Sequence, residues 1–271
     1  MSANTAMPGE NRSVAKMPGH WVLARLGKKV LRPGGKALTE KMIQALKINT
    51  QDSVVEFAPG MGFTAQLCLA KSPLTYTAIE QNEQTAHIVR QYLNAESQAC
   101  VVGNAQKTGL ASATASVVYG EAMLTMQPEA KKADIIGEAS RILKAGGRYG
   151  IHELCIIPDD IDEKVKRQIQ KDIAQAIQAP AKPITPSEWA AHLQHNGFEV
   201  QTTHLAPMHL LEPKRMIDDE GFLGFLRVVK NLLTDKEART RVIGMRKVFR
   251  KHRKHLGAIS LVAEKLGRES A

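Results

Sequence analysis

Val54-Val55-Glu56-Phe57-Ala58-Pro59-Gly60-Met61-Gly62-Phe63-Thr64 is the stretch that decides the fold class of this 271-residue chain. A short apolar, β-prone run ends in a turn of small residues, and a helix-forming segment, 64–70, follows at once. Glycine at 60 and 62 lets the backbone turn sharply and lets a ligand approach with no Cβ in the way. Free N–H groups at the start of the next helix then face a polar or anionic part of that ligand. A second β-prone run, Thr75-Tyr76-Thr77-Ala78-Ile79, ends in Glu80, 24 residues after Glu56. An acid at about that distance from a glycine-rich turn is placed to accept hydrogen bonds from ribose hydroxyls.

Outward from this stretch the chain alternates. Strand 53–58 precedes helix 64–70, strand 75–80 precedes helix 82–94, and strand 99–103 leads into a loop. Strand 116–120 precedes helix 128–144, and strand 148–156 follows Ala145-Gly146-Gly147. The strand runs are nearly continuously apolar, as strands covered on both faces are. With later strands at 198–204 and 257–263, the pattern predicts an α/β, doubly wound, mostly parallel seven-stranded sheet. Its ligand belongs at the carboxyl ends of the first strands. Residues 1–19 read as a flexible tail and 21–30 as a short amphipathic lid helix stopped by Arg32-Pro33-Gly34-Gly35. The expected units are 1–35 (tail and lid), 36–205 (core), 206–256 (helical cap) and 257–271 (last, sheet-closing strand and tail).

Hydrophobic content of 43% with 24% charged residues describes a globular protein rather than a disordered one. No apolar run approaches the roughly 18–20 residues of a membrane span. The N-terminus has no apolar signal-peptide core, and three scattered cysteines show no metal spacing, so a reduced, cytoplasmic setting is expected. The net charge of +10 is concentrated: residues 11–36 hold seven Lys/Arg and no acid, and residues 239–256 hold eight and no acid. Such segments either meet phosphates, of nucleic acid or of a membrane surface, or are solvated helix faces.

The chain resembles the class I S-adenosylmethionine-dependent methyltransferases over roughly residues 36–205 plus the last strand. Glu56-Phe57-Ala58-Pro59-Gly60-Met61-Gly62 is similar to their first motif, Glu80 to their ribose-binding acid, and Val102-Gly103-Asn104-Ala105 to their adenine-contacting turn. Arg141-Ile142-Leu143-Lys144-Ala145-Gly146-Gly147-Arg148 is similar to their link into the fifth strand. The flavour is that of the small-molecule branch with quinone-, tocopherol- and sterol-type enzymes. Two departures stand out: Ala58 where the first glycine is usual, and Asn104 where an aspartate is common. A dinucleotide enzyme is the competing reading of the glycine turn, but Gly60-Met61-Gly62 lacks the later glycine of that fingerprint.

The resemblance implies S-adenosyl-L-methionine as cofactor, held by Glu56, Ala58, Gly60, Gly62, Glu80, Gln81, Asn104, Ala105 and Glu121, in a Rossmann-like methyltransferase fold with a helical cap. The expected substrate is a small, fairly apolar molecule methylated at carbon or oxygen. Candidate catalytic residues are Glu121, as base or orienting group, and His152, matched to the role by its intrinsic pKa. Glu153 points the other way from His152 along a strand, so only one of the two faces the pocket. Trp21, Tyr119, Met123, Phe222 and Phe225 are the candidate substrate contacts, with His20 beside Trp21 in the lid. In the cap, the apolar half around 222–226 is expected to line the cavity. The basic half is expected to form an exposed helix buried through residues 242, 243, 245 and 249. No metal site is expected. Cys68, Cys100 and Cys155 are too dispersed for thiolate-based arsenite methylation. An RNA-modifying enzyme using both basic segments, and a cofactor-binding protein without catalysis, are the alternatives. The oligomeric state stays open.

Overall fold

The computed structural model describes residues 13–267. Its centre is a seven-stranded sheet in the order β3-β2-β1-β4-β5-β7-β6. The strands are β1 (Ser53–Phe57), β2 (Thr75–Glu80), β3 (Gln98–Val102), β4 (Ala115–Glu121), β5 (Leu143–Ile156), β6 (Phe198–Pro207) and β7 (Leu256–Lys265). The first five run parallel, and β7 pairs antiparallel with both β5 and β6. The last strand therefore does not close an edge: it fills the gap between β5 and β6. Strand β5 also begins earlier than expected. Its pairing with β4 jumps from Ala115/Leu143 to Val117/Arg148, so Gly146-Gly147 forms a bulge within the strand rather than a turn before it.

Helices cover both faces: α1 (Gly19–Arg25), α2 (Gly35–Ala45), α3 (Phe63–Leu69), α4 (Glu83–Arg90), α5 (Glu129–Ile142), α6 (Glu163–Ile177), α7 (Pro186–His195), α8 (Pro213–Thr234) and α9 (Lys236–Lys251). Their starts follow from capping chemistry. Asn82, Asp162 and Asp235 accept the first free N–H groups of α4, α6 and α9, and Thr185 with Glu188 makes a capping box before Pro186 on α7. The core falls into a cluster under α5 and α7, one under α3 and α4, and a third between α1, α6 and α9. Trp189 anchors the first, fully buried, its indole N–H donating to the carbonyl of Leu154 at 3.0 Å.

The expected tail lies outside the described residues for 1–12. From Ser13 onward the expectation fails: Val14 and Met17 are buried in the third cluster, and Glu237 accepts the N–H of Ala15 at 2.9 Å. The N-terminal segment is a packed element. Its basic residues are partly internal too. Lys28 has no exposed side-chain surface and pairs with Asp219 (3.2 Å) and Glu220 (3.4 Å).

Candidate active site

The site is assembled where the strand order reverses, between β1 and β4, as the topology of such sheets dictates. The turn after β1 runs through three left-handed residues, Ala58, Gly60 and Gly62, at φ of 50°, 56° and 75°. A Cβ at Gly62 would collide with the ring of Tyr92 at 2.7 Å, whereas around Gly60 nothing lies closer than 4.0 Å. Gly62 thus serves packing, and Gly60 leaves open space. Ala58 adopts a conformation that costs a side-chain-bearing residue about 1–2 kcal/mol relative to glycine.

Glu80, at the tip of β2, accepts hydrogen bonds from the N–H of Asn82 (3.0 Å) and of Gly60 (3.4 Å), which aims its carboxylate at the turn. Burial raises its pKa above the ordinary value. Glu56 is buried deeper. Both Tyr76 and Tyr119 donate their hydroxyls to its Oε2, the latter at 2.8 Å, yet desolvation outweighs these bonds and pushes its pKa up to about 7.

Behind the turn sits a buried polar network. Arg32 donates through Nη1 to Glu121, Thr64 and Thr39. Glu121 also accepts from the Thr39 hydroxyl (2.7 Å) and the Thr64 hydroxyl, and meets His152 Nδ1 at 2.7 Å. The other ring nitrogen of His152 lies 2.5 Å from the carbonyl of Pro33. Burial alone would raise the pKa of Glu121, but Arg32, His152 and Thr64 together hold it at about 2. Arg32 is only 8% exposed, and its Nε and Nη2 have no hydrogen-bond partner among the described residues although the side chain lines the cavity. These nitrogens remain free to donate to an acceptor placed in the cavity.

The cavity has two adjoining parts. A main chamber of about 250 Å³ runs from Glu56, Gly60 and Glu80 to an apolar end walled by α1, α6 and α9. A side lobe of about 190 Å³ is lined by Gln81, Asn104, Ala105 and Gln106. Ala58, Glu80, Met123 and Met126 border both. Neither part alone reaches the roughly 300–1,000 Å³ usual for a small-molecule site, so one ligand spanning both is the economical occupant.

Residues 55–151 match the family model of a methyltransferase domain. Over 248 residues the chain is 32% identical to an uncharacterized protein of Haemophilus influenzae, spanning 89% of this chain and 96% of that one. The chain belongs to the S-adenosylmethionine-dependent methyltransferases. Solved structures share the fold of the enzyme at low identity. A sarcosine dimethylglycine methyltransferase, described as putative, from Galdieria sulphuraria superposes with a TM-score of 0.65 at 12% identity, covering 84% of each chain. A putative methyltransferase of Bacillus halodurans gives 0.61 at 14%, covering 85% of this chain and all of that one. A geranyl diphosphate methyltransferase, solved with GPP and sinefungin, also gives 0.61 at 14%, covering 85% and 77%.

Several sequence-based assignments need correction in this methyltransferase. His152 is fully buried, both its nitrogens are engaged, and it does not line the chamber; Glu153 is the neighbour that does. Glu153 is not free either, accepting from the N–H groups of Met123 (3.0 Å), Leu124 (2.8 Å) and Thr125 (3.0 Å) and from the Thr125 hydroxyl (2.6 Å). It fixes the loop after β4. Glu121 borders the chamber, but its carboxylate is paired with Arg32 and held ionised, its pKa lowered to about 2. Tyr119 lies beneath Glu56 instead of facing substrate. The two halves of the cap are exchanged. Phe222 is exposed and Phe225 packs into the third core cluster, while Met245 and Phe249 of the basic helix α9 line the chamber. Of the buried face expected for α9, Ile243 is instead 61% exposed. Trp21 and Met123 do border the chamber, as does His20. Arg32, Thr39, Thr64 and Tyr76 escaped the sequence reading. Only the position of Thr64 beside the glycine turn could have pointed to one of them.

Proposed function

We propose that the enzyme methylates a small, fairly apolar molecule at carbon or oxygen. The observation that carries this reading is the apolar end of the chamber, walled by Trp21, Leu23, Leu154, Ile173, Met245 and Phe249. The basic segments give little support to an RNA substrate, because many of their basic side chains already have partners within the chain, some buried and others, such as Arg250 and Lys251, at the surface. Besides Lys28 and Arg32, Arg246 and Arg250 pair with Glu212, Lys251 and His252 with Asp172, and Arg241 donates to the carbonyls of Val14 and Ala15.

The residues present fit the cofactor. Glu80 offers acceptors for ribose hydroxyls, the lobe around Asn104 and Ala105 suits a flat base, and the Arg32 nitrogens not used in the network suit a carboxylate. When bound, the cofactor supplies an activated methyl group on a positively charged sulfur. The chain's own part is to exclude water and align the acceptor behind that methyl. Acid–base help is slight: burial pushes the pKa of chamber-lining His20 down to about 4, which makes it a weak base at neutral pH. His20→Gln is expected to lower turnover less than tenfold, read from S-adenosylhomocysteine release; a loss of several hundredfold would make it the general base.

Glu56 carries a further expectation. With a pKa of about 7 it is half protonated near neutrality, and a positive charge arriving at the chamber favours its ionised form. Cofactor binding at pH 7 should release about half a proton, and affinity should rise as pH climbs through 7. Calorimetry in two buffers of different ionisation enthalpy reads this directly, and Glu56→Gln should abolish the buffer dependence. Equal heats in both buffers for the unaltered enzyme would refute the linkage.

The proposed substrate class is tested by S-adenosylhomocysteine release with panels of apolar phenols and isoprenoids, polar amines, and RNA. Turnover confined to the amine or RNA panels would overturn it, and no turnover with any would favour a binding protein without catalysis.

A further inference from the structure

Helix α8 is broken at Gly221, where φ is 72° and ψ 166°. The segment beyond the break, 222–234, is apolar on two opposite sides. Inward, Val228 is buried and Phe225 and Leu232 pack on the third core cluster. Outward, Phe222, Leu223, Leu226 and Leu233 are 62%, 78%, 44% and 68% exposed. At helical spacing 222, 226 and 233 form one stripe, with 223 and 230 beside it. A helix already docked through one apolar face has no intramolecular reason for a second. Contiguous exposed apolar side chains mark a surface that something covers.

Charge identifies what covers it. From Gly221 to Thr234 there is no acidic residue, and Arg227 and Lys230 are the charged side chains, both exposed. A second copy of the chain meeting this face symmetrically would set these cations against themselves, with no carboxylate on the segment to pair with them. An anionic lipid surface accepts both features at once: apolar side chains enter the acyl boundary while Arg and Lys meet headgroup phosphates. Position agrees. Glu220, just before the break, accepts the N–H groups of Lys29 and Val30 at 2.9 Å each, and Lys29 and Leu31 line the chamber. The stripe thus begins beside the chamber wall.

We propose that residues 222–234 dock the enzyme peripherally on anionic membranes, with Phe222, Leu223, Leu226 and Leu233 inserted and Arg227 and Lys230 at the headgroups. Vesicle binding is measured without any methyl acceptor, so it stands or falls separately from the proposed reaction.

The test is co-sedimentation of the full chain with vesicles of phosphatidylcholine containing about 30% phosphatidylglycerol, against phosphatidylcholine alone, at low and at ~150 mM salt. The expected result is binding to the anionic vesicles that weakens with salt. Phe222→Ser/Leu226→Ser should reduce it about tenfold or more, with an unchanged melting temperature because both side chains are exposed. Arg227→Gln/Lys230→Gln should reduce it and flatten the salt dependence. No binding to anionic vesicles, or binding that the serine variant leaves intact, overturns the proposal. So does a dimer in sedimentation equilibrium that the serine variant dissociates while vesicles bind neither form; the covering surface would then be a second copy.

Discussion

Replacing Arg32 by methionine is expected to destabilise the enzyme by about 3–5 kcal/mol, the range for stripping one partner from a buried ion pair. Glu121 would keep its place among Thr39, Thr64 and His152 but lose the cation that makes its buried charge tolerable. Chemical denaturation of the purified protein measures the loss. The double variant Arg32→Met/Glu121→Gln should be less damaged than the single one, because it leaves no unpaired charge. A loss below about 1 kcal/mol for the single variant would show that the pair contributes little. The pH dependence has a definite sign. With its pKa lowered to about 2, Glu121 stabilises the fold above the ordinary carboxylate range, and that contribution fades as pH falls from about 4.5 towards 2. In the Arg32 variant the carboxyl should protonate at higher pH, so most of this acid-dependent loss should already be absent.

Glu80→Ala is expected to weaken S-adenosylmethionine binding by about 1.5–3 kcal/mol, roughly 10- to 150-fold, the scale for hydrogen bonds to a charged acceptor. The side chain accepts from the backbone of Asn82 and Gly60, so part of the loss would come from a slacker glycine turn. Glu80→Gln separates the two contributions, since an amide oxygen can keep one backbone bond while the charge is gone. Calorimetry showing unchanged affinity in the alanine variant would remove Glu80 from the cofactor site.

The parallel half of the fold was legible because its cues are local: apolar runs closed by small-residue turns, then amphipathic helices. The acids at strand ends were legible for the same reason. What stayed hidden depends on contacts distant in sequence. Arg32 looked like part of a helix stop in a basic run, and only its meeting with Glu121, on a different element, gives it a role. Depth along a strand was the second difficulty. Tyr119 sits opposite Glu56 in the pairing of β1 with β4, two residues short of the strand end, and so falls under the site. His152 pairs with Glu121 across β4 and β5 and turns into the same network, leaving Glu153 to border the chamber. The cap defeated composition. A helix apolar on both sides does not disclose which side packs, and the chamber-lining face of α9 lies within a helix whose composition is dominated by Arg and Lys.

The placement of β7 has a consequence for biosynthesis. Among the described residues, strand β6 joins the sheet only through β7, whose first residue comes 49 positions after the end of β6. During translation residues 198–207 leave the ribosome with no strand to join. Meanwhile β5 offers the bare edge from Arg148 to Ile156 that β7 later occupies. An unpaired edge of that length is a template for pairing with other nascent chains. Completion of this sheet must therefore wait for α8, α9 and β7 to be made, which sets the interval in which a stalled or truncated chain is prone to aggregate.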